Sequence, residues 1–163
     1  MSPERQIESR EVLPGRGRKV YIGGSLDYRS VQEVYQEHEH INQLLEEKGF
    51  VSLDPMRSKW SIFLGQEKIE RSDRTMQEIV GRDLQDLNEC DFHLILTGER
   101  ASWGTAIEMG YSIFVTKKPV ILVVGDFREY ERAKEQRSWH TFLAVRVVNS
   151  FEEAVDYMSN YWT

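Results

Sequence analysis

The chain has 163 residues, 40% of them Ala, Val, Ile, Leu, Met, Phe, Trp, Tyr or Cys and 29% charged, with 11 Gly and 4 Pro. That length suits one domain and leaves little room for a second core, while the apolar share excludes wholesale disorder. Acidic residues outnumber basic ones 27 to 21, giving a net charge of −6 and a pI near 5.3, the wrong balance for holding polymeric nucleic acid; a small phosphorylated ligand, which needs only a few local donors, stays open.

Residues 1–17 carry mixed charge, Pro14, Gly15 and Gly17 with no periodic apolar face, and are expected to form a flexible arm ahead of one domain over 18–163. Lys19-Val-Tyr-Ile22, closed by Gly23-Gly24-Ser25, has the length and punctuation of a buried strand that turns sharply. Val31 to Leu45 predicts a helix with an apolar stripe at Val31, Val34, Tyr35, Ile41, Leu44 and Leu45, stopped by Gly49. Phe50 to Leu53 is the next strand, ended by Asp54-Pro55. Residues 56–74 mix Trp60, Ile62, Phe63 and Leu64 with many charges and predict a long loop with some helix, more often a functional lid than filler. Met76 to Leu87 predicts a helix, Asp91 to Leu96 a strand, and Thr105 to Val115 a helix preceded by Ser102-Trp-Gly104. Val120 to Val124 is a strand closed by Gly125-Asp126, Phe142 to Val148 a last strand, and Phe151 to Tyr161 the closing helix.

Strand and helix thus alternate about five times, and strands that are apolar without alternation indicate a parallel sheet covered on both faces. The expected fold is α/β: a single doubly wound domain with a five-stranded, mostly parallel sheet, Rossmann- or flavodoxin-like, with ligands at the carboxyl ends of the strands. The longest apolar run, Pro119 to Val124, has six residues, against the ~18–20 a membrane span needs. The start, Met1-Ser-Pro-Glu-Arg-Gln, lacks the apolar core of a secretory signal, and Cys90 is the single cysteine, so neither an intrachain disulfide nor a multi-cysteine metal site is open to it. A cytoplasmic protein without membrane attachment is expected. His38 and His40, two apart on a helix, face different ways and make a poor metal pair.

The carboxyl-end rule selects Gly23-Gly24-Ser25, the stretch Thr97 to Glu108, and Gly125-Asp126. Asp83 falls on the apolar stripe Met76, Ile79, Val80, Leu84, Leu87, where an unpaired carboxylate costs several kcal/mol or titrates upward. A carboxylate at the stripe's edge, paired with Arg82 or Lys59, fits the same pattern. Glu108 lies in the first turns of a helix, where the dipole favours an acid in any case, but it also follows a strand end and sits among apolar neighbours. Two carboxylates from adjacent crossovers facing one pocket are the equipment for glycosidic bond cleavage.

Arg82-Asp-Leu-Gln-Asp-Leu-Asn-Glu-Cys-Asp91, followed by Phe-His-Leu-Ile-Leu96, Gly104-Thr-Ala-Ile-Glu-Met-Gly-Tyr111 and Lys117-Lys-Pro-Val120, resembles the nucleoside 2-deoxyribosyltransferase superfamily, which also contains 2′-deoxynucleoside 5′-phosphate N-hydrolases and cytidylate hydrolases. Val20-Tyr-Ile-Gly-Gly-Ser25 is similar to its first strand and glycine turn, so the resemblance covers 19–25 and 82–124. It implies that Glu108 is the nucleophile at the anomeric carbon, that Asp83 engages the nucleobase and aids its departure, and that Tyr21 orients Glu108; read alone, Tyr21 is a strand aromatic filling the core. Ser102 stands where many of the transferases carry an aspartate and the nucleotide hydrolases a phosphate-binding serine, which favours a nucleoside 5′-monophosphate; Ser102 also suits a helix N-cap. Gly23, Gly24, Ser25, Arg29 and Gly104 complete the expected substrate contacts.

The resemblance implies no cofactor or metal, a small nucleoside or nucleotide as substrate, and a homodimer or larger assembly. It leaves hydrolysis and base transfer both open. A catalytically silent nucleotide-sensing domain, or cleavage of the nicotinamide bond of a dinucleotide, are the alternatives.

Overall fold

Alternate residues of the first strand face two different layers of helices, and that sorting builds the molecule. In the computed structural model, which describes residues 13–24, 26, 29–63, 65–69, 73–97, 103–124 and 143–161, the elements run β1 (Lys19–Gly24), α1 (Val31–Glu47), β2 (Val51–Leu53), α2 (Trp60–Phe63), α3 (Asp73–Glu89), β3 (Phe92–Thr97), α4 (Trp103–Gly110), a π-helical continuation (Tyr111–Thr116), β4 (Val120–Val124), β5 (Arg146–Val148) and α5 (Phe151–Ser159). The strands form one sheet in the order β2-β1-β3-β4-β5, and every neighbouring pair is parallel. Val20 and Ile22 of β1, with Phe92, Leu94 and Leu96 of β3, pack against Ile41 and Leu45 of α1 and Ala154, Val155 and Met158 of α5. One residue out of phase, Tyr21 turns the other way and joins Leu53, Leu87 and Cys90, while Ile95, Leu122 and Val124 cover Met109 of α4. This is the doubly wound α/β domain expected from the alternation, with a wholly parallel sheet.

Boundaries differ from expectation where close packing, not local pattern, decides them. Gly23 and Gly24 do not turn; they extend β1, in register with Ile95 and Leu96 of β3. Gly24 has φ of 152°, and a Cβ there would stand 2.7 Å from the carbonyl oxygen of Leu96, so only glycine lets the two backbones run this close. The last strand starts at Arg146, and Leu143 and Ala144, expected within it, pack on the Met109 cluster instead; Phe142 lies outside the described residues. On α1, Tyr35 is exposed and His38 takes its place in the buried stripe Val31, Val34, His38, Ile41, Leu45. On α3, Val80 is exposed at the rim of a cleft instead of buried.

Residues 13–17, assigned by sequence to the arm, form turns that close on the end of α1: Gly15 N–H donates to the Lys48 carbonyl (2.7 Å) and Gly17 N–H to that of Gly49 (2.8 Å). Residues 1–12 lie outside the described residues. The connection after β2 is tied down by long-range bonds. Lys68 bridges Ser30, Ile69 N–H donates to Arg29 O (3.0 Å), and Arg57 pairs with Asp86 of α3 (2.7 Å). None of the described helices is long and apolar enough to cross a membrane.

Candidate functional site

Because Tyr21 and Gly23 lie two apart on β1, both face the α3–α4 layer, and His93 of β3, paired with Tyr21 across the sheet, is on the same side. Glu108 on α4 meets them there. The Tyr21 hydroxyl donates to Glu108 Oε1 at 3.1 Å, and the Tyr21 ring stands edge-on to His93 with centroids 5.1 Å apart. Tyr21 is 1% exposed, and its hydroxyl is held well above the usual phenol range by burial first and then by the charges of Glu108 and Asp83. It therefore stays protonated as a donor to Glu108.

Asp83 reaches the same cleft from α3, where it is 6% exposed. The turns of α3 around it are pinned from outside: Arg82 donates to the Pro55 carbonyl, and Asp86 holds Arg57. Arg82 is thus committed to the 54–57 connection. The open cleft lies over the carboxyl ends of β1, β2 and β3. Tyr21, Gly23, Gly24, Arg29, Asp83, Gly104 and Glu108, all singled out from sequence, line it. Ser25 and Ser102 lie outside the described residues.

Arg29 enters with its fork already engaged. Its two terminal nitrogens contact the Glu37 carboxylate at 2.8 and 3.1 Å, a bidentate pair that also faces the cleft. Sequence reasoning missed Glu37, His38, Met56, Phe63 and Thr105, which also line the cleft, as does Lys59, named from sequence only as a partner for Asp83. His38 carried a readable signal, since a titratable residue at i+4 from Val34 and i−3 from Ile41 lies on the buried face, the same argument that singled out Asp83.

Gly23 shows how tight the floor is. A Cβ there would stand 2.5 Å from His93 Nε2 and 3.2 Å from Glu108 Oε2. His93 cannot retreat, being fully buried with Nδ1 bonded to Ser112 Oγ at 2.7 Å. Gly23→Ala is therefore expected to lose about 1–3 kcal/mol of stability and to displace the Glu108 carboxylate. Denaturant unfolding and turnover check this together, and an alanine variant unchanged in both would contradict the geometry.

Burial pushes the His93 imidazole down to about 3 from the ordinary 6.5. The unfolded chain takes up this proton below about pH 6.5 while the fold refuses it until near 3, so stability is flat above the first value and falls as pH drops between them. The expected loss is about 2 kcal/mol at pH 5. Thermal unfolding at pH 7 and pH 5 should show a smaller acid shift in His93→Leu than in wild type; equal shifts would remove His93 as the cause.

A family model described as nucleoside 2-deoxyribosyltransferase matches residues 20–158. The chain belongs to the nucleoside 2-deoxyribosyltransferase family. Its members are enzymes that act at the glycosidic bond of nucleosides. No curated protein sequence matches the chain significantly. Among solved structures, the 2-deoxyribosyltransferase from the psychrotolerant bacterium Bacillus psychrosaccharolyticus superposes with a TM-score of 0.58 at 18% identity, covering 85% of this chain and 91% of that one. A conserved protein from Enterococcus faecalis V583 gives 0.58 at 19% identity over 89% and 99%. The CMP N-glycosidase BcmB of Clostridium botulinum gives 0.51 at 21% identity over 88% and 99%. At these identities the likeness shows that the chain shares the deoxyribosyltransferase family's fold.

Proposed function

We propose that this deoxyribosyltransferase-family chain cleaves the N-glycosidic bond of a (2′-deoxy)nucleoside 5′-monophosphate or nucleoside, with Glu108 as nucleophile, Asp83 as acid and Tyr21 as the group that orients Glu108. The observation that carries it is the Tyr21–Glu108 hydrogen bond at 3.1 Å in a cleft that Asp83 also lines. Tyr21 donates to Oε1, which fixes the carboxylate plane and leaves Oε2 for attack. As the C1′–N bond breaks, its electron pair leaves with the base, and positive charge develops on C1′ and the ring oxygen. The Glu108 carboxylate beneath the ring stabilises that charge and closes on C1′ as an ester, while Asp83 gives its proton to the departing nitrogen. Water then attacks C1′, releases Glu108 and yields the free sugar; a second base at the same point yields a new nucleoside. No step calls on a metal or cofactor.

The 5′ end of the substrate is assigned to Gly24, Gly104, Ser25, Ser102 and Arg29. Two glycines admit a phosphate close to the backbone and a neutral hydroxyl tolerates its charge where an aspartate repels it, while Arg29 would have to exchange its Glu37 pair for the phosphate. Hydrolysis of a 5′-monophosphate is the preferred form of the reaction because of Ser102. Base exchange is the second reading, supported by the description of the matching family. Self-association is part of the same reading: Ile107, Phe114 and Val115 are exposed on α4 and its continuation, an apolar set that a second copy would cover.

The experiment is to incubate the protein with nucleosides, their 5′-monophosphates and dinucleotides and to separate free base by chromatography, with and without a second base. Free base from a monophosphate, with no new nucleoside when a second base is present, is the expected result. A new nucleoside assigns the transferase reading. Binding without product across the whole panel overturns the enzyme in favour of a sensor.

A further inference from the structure

Resting on the function just proposed, the geometry points to a residue that reads the nucleobase: we propose that His38, clamped by Asp54, offers its Nε2 to the base as a hydrogen-bond acceptor. The clamp is complete. Asp54 Oδ1 meets His38 Nδ1 at 2.9 Å and accepts from Met56 N–H at 2.7 Å, while Oδ2 accepts from Asn42 Nδ2 at 3.0 Å. Burial alone pushes the Asp54 carboxyl up, but the bonds from His38, Asn42 and the Met56 N–H outweigh it and hold Asp54 below the usual carboxylate range. An ionised carboxylate only accepts, so the proton on Nδ1 belongs to His38, and the proposed role requires a neutral ring, whose lone pair is on Nε2.

Both members are almost wholly buried, at 2% and 3% exposure, yet His38 lines the cleft, and among the described residues Nε2 has no hydrogen-bond partner. A buried imidazole held through Nδ1 in the wall of the cleft leaves Nε2 as the ring atom available to a ligand. Trp60 fixes the ring further by packing edge-on at 5.7 Å.

Sheet order assigns the part of the ligand that His38 meets. Glu108 and Gly104 enter from the crossover after β3, whereas Asp54, Pro55 and Met56 follow β2, two strands away across β1. Strands lie about 4.8 Å apart, so the cleft runs about 10 Å between these ends, the reach of a sugar and its base. With the sugar held over Glu108, the base extends toward Met56 and Phe63, whose apolar side chains line the cleft beside His38. An acceptor on that wall complements an exocyclic amino group and leaves a carbonyl oxygen facing a lone pair. His38 thereby selects amino-bearing bases over their keto counterparts.

The test is calorimetric titration with two pairs of nucleotides that exchange an exocyclic amino group beside an unprotonated ring nitrogen for a carbonyl beside a ring N–H: 2′-deoxycytidine against 2′-deoxyuridine 5′-monophosphate, and 2′-deoxyadenosine against 2′-deoxyinosine 5′-monophosphate. Wild type is expected to prefer the amino member of the pair it binds by about tenfold. His38→Phe should bring the preference within about twofold, with affinity for the keto member changed by less than about threefold. If the phenyl ring leaves Asp54 too poorly satisfied to fold, His38→Asn keeps a donor for Asp54 while placing no acceptor at the Nε2 position, and melting temperatures show that the variant is folded. A preference that survives both substitutions, a wild-type preference for the keto member, or an equal loss for both members overturns the role of His38. A wild-type chain that binds none of the four overturns the function on which that role rests.

Discussion

Replacing Glu108 by glutamine is expected to lower base release by about 10³-fold or more while leaving the fold and ligand affinity nearly unchanged. The substitution is isosteric. The amide oxygen still accepts from the Tyr21 hydroxyl, which sits 3.1 Å from Glu108 Oε1, so the packing beneath Gly23 is preserved. What disappears is the negative charge that stabilises the developing cation and the lone pair that closes on C1′. Tyr21→Phe, which removes only the orienting bond, should cost far less, on the order of tenfold. Single-turnover release measured alongside thermal unfolding separates loss of chemistry from loss of structure. Near-normal release by Glu108→Gln would remove the nucleophile from the mechanism.

Asp83→Asn is the second large effect, an expected loss of about 10²–10³-fold whose size depends on the leaving group. Asp83 is buried at the cleft and is assigned the proton that the departing base needs. An asparagine keeps the shape and can still hydrogen-bond the base, but it has no proton to surrender at this acidity. A nucleoside whose base is already cationic, such as one methylated on a ring nitrogen, leaves without that proton, and with it the loss should shrink to less than about tenfold. Measuring kcat for both substrates in wild type and variant gives the ratio directly. An equal loss with both would mean that Asp83 only positions the ligand.

The parts of this site legible in the sequence are those written in local periodicity. Asp83 stands out because a carboxylate interrupts an apolar stripe at helical spacing, whereas Tyr21 is singled out by the family resemblance alone and Gly23 as part of a turn that β1 in fact runs through. His38 interrupts α1 in the same way, but Tyr35 and Leu44 offered a plausible stripe without it, and only the partner Asp54, sixteen positions on, makes its burial tolerable. Met56 and Phe63 were beyond reach for a different reason. The 54–69 connection has no period of its own and takes its course from distant partners, Arg57 on Asp86 and Lys68 beside Ser30. The pairing of Arg29 with Glu37 also required the fold, since the two stand eight positions apart across the N-cap and first turns of α1.

The central claim, that Glu108 traps the sugar before water or a second base arrives, is tested most directly by stereochemistry. Base release is run in aqueous methanol, and the anomeric configuration of the methyl glycoside is read by proton NMR. Two successive displacements at C1′ predict retention of the substrate's β configuration. An α product would mean that the acceptor attacks in a single displacement, and Glu108 would then be no nucleophile.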